Sequence, residues 1–257
     1  LSAPDGARLA DALAGLDFMV SVAPYLNETT RHADVILPPP PPSGVGHFDV
    51  ALSGAVVRNN ARYSPPVLPL PAGRPDECEI LSRLALFALG MGPDADPQLV
   101  DGQVIASTLG KEVADPDSPV AGRTVGELTA MLPDGPGYER RLDMMLRLGP
   151  FGDAFGAKPD GLTLQRLKAT PHGVDLGALT PRIPEILRTP SGKIELAPEP
   201  IIADIPRLQA SLDSGDGFLL IGRRHLRSNN SWMHNLPALS GGSNTCTLQI
   251  HPDDAAR

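Results

Sequence analysis

A chain of 257 residues that is 41% hydrophobic and 20% charged holds enough apolar material for one large folded domain or two smaller ones. Its formal charge of -8 leaves no general basic face for nucleic acid or an anionic membrane surface. The 29 prolines and 26 glycines, with aromatics at only 4%, point to many short elements joined by loops. Cys78 and Cys246 lack a C-x-x-C companion, so neither a disulfide framework nor a zinc or iron–sulfur site is indicated, and reduced cytoplasmic thiols are expected.

In chain order, residues 7–15 are rich in Ala and Leu at helical spacing, with Gly15 suited to a C-cap. A short apolar strand over 18–22 follows, then a turn over 24–30 and a second apolar run over 33–37 of the kind buried in parallel sheets. Pro38 to Pro42 stop that run, because proline has no N–H for a ladder. A helix is predicted over 75–89, with Pro75 at its start, Asp76, Glu77 and Glu79 in its first turn and Gly90 at its end.

From 91 to 180 the pattern is weak, giving helices at 125–132 and 138–148 and Pro/Gly-rich loops around 149–152 and 170–173. Residues 189–192 carry turn chemistry, and 193–196 alternate as an exposed strand would. A composition shift over 211–217 precedes an apolar strand over 218–222, which runs into a polar stretch over 223–235. Residues 251–257 read as the opening turn of a helix and the chain begins on Leu1, so both ends are expected to be cut. No internal repeat is visible, and no apolar run reaches the length of about 20 residues that spans a bilayer.

Several familiar sites are excluded by position. Gly192-Lys193 lacks the upstream glycine and the following Ser or Thr of a phosphate loop, since Leu187 and Ile194 stand there. Gly215 and Gly217 precede a strand instead of following one, and Leu220 occupies the third glycine position of a nicotinamide-type fingerprint. There is no Gly-x-Ser-x-Gly elbow, and His225 and His234 are nine positions apart, which matches no ligand spacing for a metal. Residues 223–235 are different: three arginines, two histidines, two serines, three asparagines and Trp232 stand within them. Arginine forks suit a pyrophosphate, Asn and Ser suit the amide edges of a purine or pterin, and an indole offers a stacking face. A solvated, asparagine-rich turn is the plain structural alternative.

Four segments in order carry a family resemblance. Residues 26–38 (Leu-Asn-Glu-Thr-Thr-Arg-His-Ala-Asp-Val-Ile-Leu-Pro) resemble the signature that closes the dinucleotide-binding α/β domain of molybdopterin oxidoreductases. Residues 190–199 with 203–206 are similar to that family's connector into its last domain. Residues 221–224 running on to 231–235 resemble the strand and loop that open its C-terminal barrel, and 247–257 resemble the next strand and short helix. Two departures stand out. Ala23 occupies the position of the family's usual acid, and 38–47 replace its acidic, glycine-rich stretch with prolines.

The resemblance implies an α/β fold in three parts: residues 1–74 as the end of a doubly wound dinucleotide-binding domain, 75–212 as a mostly helical, irregular connector, and 213–257 as the truncated start of a mixed β-barrel domain. It implies a bis(molybdopterin guanine dinucleotide) molybdenum cofactor. Gly222, Arg223, Arg224, Arg227, Ser228, Asn229 and Asn230 would line one dinucleotide arm, with Ala23 and Thr29 near it. The parent enzyme would carry out two-electron chemistry on a small redox substrate with an electron-transfer partner. Any iron–sulfur cluster and the metal's own ligand would lie in its N-terminal part, so no catalytic residue is assigned here. The alternative is a non-enzymatic nucleotide- or protein-binding domain that lacks the metal centre.

Overall fold

The structure is a computed structural model, and it describes residues 5–50, 55–212, 217–223, 225, 233, 236–241 and 247–256. It is mixed α/β, with about 38% helix and a few short strands in small sheets. Contacts divide the chain into two compact units, residues 1–181 and 182–257. The sequence-derived boundaries lie at 74/75 and 212/213.

In the first unit, helix α1 (Gly6–Ala14) starts where the Asp5 carboxylate accepts from the Arg8 N–H at 3.4 Å and ends where the Gly15 N–H donates to the Ala12 carbonyl. It leads into β1 (Val20–Val22), which pairs in parallel with β2 (Val35–Leu37) in the register Val20–Val35, Ser21–Ile36 and Val22–Leu37. The parallel character expected of these two runs is thus present, in shorter strands. Two antiparallel pairs follow that the alternation pattern did not announce. β3 (His47–Phe48) joins β5 (Tyr63–Ser64), and β4 (Arg58–Ala61) joins β6 (Val174–Ala178) with an irregularity between Asn59 and Asn60. Gly177, at a φ of 95°, supplies the left-handed residue beside that irregularity.

Helix α2 (Glu77–Ala88) is capped by Asp76, whose carboxylate accepts from the Glu79 N–H at 2.7 Å, so Pro75 lies one residue before the cap. Gly90 follows its end at a φ of 77°. α3 (Gln98–Ala114), 17 residues long, is the longest described helix and was hidden within the weakly patterned region. Gly102, Gly110 and β-branched residues depress its propensity, and Asp101 interrupts the apolar stripe formed by Ile105 and Leu109. The buried Asp101 is held by Arg141, 3.1 Å away. α4 (Val125–Ala130) and α5 (Gly137–Leu148) stand where the periodicity placed them. A Cβ on Gly137 would come within 2.6 Å of the Asp101 carboxylate, so this glycine lets α5 start against α3.

Two apolar clusters meet at α5. One gathers Ile105, Leu109, Val120, Leu128, Leu132, Met144 and Phe155. The other joins Ala61, Tyr63, Leu146, Leu162, Leu164 and Leu167, the last two from α6 (Leu164–Lys168). Burying a Leu or Met side chain is favourable by about 1.5–3 kcal/mol, so the stability of this unit is concentrated between α3 and α6.

The second unit holds α7 (Glu199–Ile202), α8 (Ile205–Leu212), α9 (Pro237–Ser240) and α10 (Pro252–Ala255). Helix α10 fulfils the expectation of a helical turn after His251, whose ring accepts from the Asp253 N–H at 3.3 Å. Residues 193–196, expected as an exposed strand, form bends and irregular backbone. Residues 218–222 and 247–250 enter no ladder among the described residues, where no barrel is formed. An apolar run makes a strand only when a neighbour satisfies its backbone, and here Phe218, Leu219, Leu220 and Ile221 remain 70–86% exposed.

Candidate functional site

The backbone leaves β1 at Ala23 and returns to β2 at Asp34 through a turn built almost entirely from its own polar groups. The Asn27 side-chain oxygen accepts from the N–H groups of Thr29 at 2.9 Å and Thr30 at 3.0 Å. The Thr30 hydroxyl accepts from the Asn27 N–H at 2.8 Å and donates to the Tyr25 carbonyl at 3.0 Å. Asp34 closes the far end, its carboxylate accepting from the Met19 N–H at 2.7 Å. Thr30 is 2% exposed, whereas Ala23, at the carboxyl end of β1, and Thr29, within the connection to β2, are half-buried.

Of the sequence-predicted site residues, Ala23 and Thr29 therefore lie on one connection, Thr29 inside its hydrogen-bonded turn and Ala23 where the chain leaves β1. Gly222 and Arg223 lie in the second unit on exposed backbone outside any ladder. Arg224, Arg227, Ser228, Asn229 and Asn230 lie outside the described residues. The residues that shape the turn, Asn27, Thr30 and Asp34, were not singled out as site residues. The signal was present, because Asn and Thr are the side chains that hydrogen-bond backbone two or three residues away.

Two further polar groups were also missed. On α5, Asp143 accepts from the Leu164 N–H and from Arg147 Nε, each at 2.7 Å, while Arg147 also reaches Asp153 at 2.7 Å and lies over the Phe155 ring. Both carboxylates and the guanidinium are internally satisfied, and the backbone around them is tight. Ala154 and Phe155 have φ near 50°, and a Cβ on Gly152 or Gly161 would collide with the backbone of Arg147 or Asp153. This arrangement fastens the 149–163 loop to α5 and has no group left to act on a substrate.

The second group joins Tyr63, Glu139 and Lys168. The phenol donates to Glu139 at 2.7 Å, and the Lys168 ammonium lies 2.6 Å from the other carboxylate oxygen and over the Tyr63 ring. Burial, and then the Glu139 carboxylate, push the Tyr63 phenol well above its usual range. Tyr138 is pushed up to about 12, chiefly by burial and next by Asp76. Burial and Asp76 also raise the Cys78 thiol, which keeps it protonated and unreactive. These phenols are hydrogen-bond donors near neutral pH, suited to fixing helices and not to general base work.

No family model, curated protein or solved structure matches this chain. Among the described residues no group of three or more His, Cys, Asp or Glu side chains could hold a metal ion, and no helix is long and apolar enough to cross a membrane. A shallow depression of about 290 Å³ is bounded by Pro150, Phe151, Lys158, Pro159 and Asp160, without a convergent set of donors. The turn between β1 and β2 is the better candidate. It combines a strand end, small side chains and a fixed backbone.

Proposed function

We propose that this chain is part of a molybdopterin guanine dinucleotide-dependent oxidoreductase and helps hold a guanine dinucleotide arm of that cofactor. The observation that carries the reading is the parallel β1–β2 pair, whose connection leaves the carboxyl end of β1 at Ala23 and is held by a hydrogen-bonded turn over Tyr25–Thr30, within the segment whose sequence resembles the family most specifically. In open parallel α/β sheets, ligands sit outside the carboxyl ends of the strands. The parallel pairing supports reading residues 1–74 as the end of a doubly wound domain. Reading 213–257 as the start of a barrel domain requires partner strands for the apolar, exposed residues 218–222, which enter no ladder among the described residues.

The residues present suit a nucleotide arm better than a metal. Ala23 has no side chain that would hold a ligand away from the strand end, and Arg31 is exposed on the same turn as a cation for a phosphate. The resemblance gives Arg223, Arg224, Arg227, Ser228, Asn229 and Asn230 the same kind of role, as arginine forks and polar donors for a nucleotide arm. When bound, the metal and its two pyranopterin dithiolenes supply the two-electron chemistry on a small substrate, and any iron–sulfur cluster and the electron-transfer partner belong with other parts of the parent enzyme. The role of this chain is to bind and orient the cofactor.

Anaerobic purification of the full-length parent, followed by metal analysis and nucleotide release, tests the reading. Molybdenum or tungsten together with guanine nucleotide is the expected result, and the absence of both overturns it. Arg227→Ala should lower the cofactor content of the parent. An intact protein that never held cofactor would be unaffected, which is the outcome for a non-enzymatic binding domain.

A further inference from the structure

We propose that Asn27 and Thr30 are the positioning residues of this site: they fix the turn that presents Thr29 to the dinucleotide, a claim that rests on the functional reading above. The Thr30 hydroxyl is buried and uses both its donor and its acceptor capacity inside the turn, bonding the Tyr25 carbonyl and the Asn27 N–H. It therefore acts through the backbone and not by touching a ligand. Asn27 works from the opposite side, its one oxygen holding two successive N–H groups while its own carbonyl accepts from the Arg31 N–H at 3.0 Å. Two side chains three positions apart thus lock each other's backbone.

The surrounding structure explains why a local lock is needed. β1 and β2 have three residues each, and Leu16, Phe18, Tyr25 and Leu26 beside them are 52–76% exposed. Neither apolar cluster of the unit reaches this turn. A ligand wall held to within about half an ångström requires support by packing or by hydrogen bonds, and here hydrogen bonds provide it.

The test compares Asn27→Ala and Thr30→Val with the conservative Asn27→Asp and Thr30→Ser in the full-length parent purified with its cofactor. Amide exchange at Thr29 and Thr30 should quicken about tenfold in Asn27→Ala, because each loses an acceptor. Guanine nucleotide released per polypeptide should fall by about half or more in both disruptive variants. Both readouts should return to the parent level in Asn27→Asp and Thr30→Ser, whose oxygens preserve the bonds. Unaltered exchange overturns the lock, and faster exchange with full nucleotide content overturns the positioning role. Exchange of α3 amides checks that the fold is kept. A parent with no guanine nucleotide before any substitution is a distinct result, which defeats the functional reading itself.

Discussion

The segment from α3 to α6 and the strand pair β1–β2 are held by opposite means. In the first, Leu109, Leu128 and Leu167 are fully buried, and a carboxylate–guanidinium–carboxylate chain is largely shielded from solvent. In the second, the one residue buried between β1 and β2 is Thr30, and order comes from side-chain to backbone bonds spanning two to five residues. The comparison shows that this chain separates the source of its stability from its candidate binding turn. Loss of the first should unfold the unit, whereas loss of the second should alter geometry with little effect on folding.

The largest expected effect is at Arg147. Arg147→Ala leaves Asp143 and Asp153 buried without their cation, which should destabilise the first unit by about 3–5 kcal/mol. Exchange of the α3 and α5 amides in their slowest, globally opening regime measures this, and an effect below that of an ordinary surface substitution would remove the central support from the comparison. Leu109→Ala should cost about 2–5 kcal/mol by the same measurement, depending on how far its neighbours close the cavity.

A smaller effect is expected from pH. Folding raises the pKa of both Tyr63 and Tyr138, so the unfolded phenols ionise near pH 10 while the folded ones still hold their protons. The unfolded state then binds fewer protons, and stability falls as pH rises from about 10 towards 12. Below that window the contribution is fully present. Urea unfolding across it should show this decline, and Tyr63→Phe should flatten it; an unchanged pH slope would assign the effect elsewhere. The smallest change is at Asn27, where Asn27→Ala should alter global stability by less than about 1 kcal/mol. A larger loss by urea unfolding would show that the turn carries stability after all and dissolve the distinction between the two regions.

Local signals in the sequence located much of this architecture. Gly15 as a C-cap, the acidic first turn of α2, the helical periods of α4 and α5 and the two apolar runs of β1 and β2 each depend on residues close in the chain, and each is present. α3 was missed because its glycines and its buried Asp101 break the apolar stripe, and Asp101 is tolerated only because Arg141, forty positions away, pairs with it. The antiparallel pairing of β4 with β6 escaped for the same reason, since Arg58 meets Asp175 and Ala178 across more than a hundred residues. Residues 218–222 mislead in the other direction. Their apolar content reads as a strand, but the described backbone has no neighbour to complete a ladder.

At the candidate site the division is equally clear. The sequence alone determined that 26–38 should be a polar turn feeding an apolar strand, and its resemblance to a known signature directed attention to Ala23 and Thr29. Only the tertiary structure decided that β1 and β2 pair with each other, in the register Val20–Val35, and that Asn27 and Thr30 hold the turn in their connection. The physical reason is distance along the chain. Caps, turns and hydrophobic periods are set by neighbours within a few residues, whereas strand partners, buried ion pairs and the exposure of a strand end depend on groups that only folding brings together.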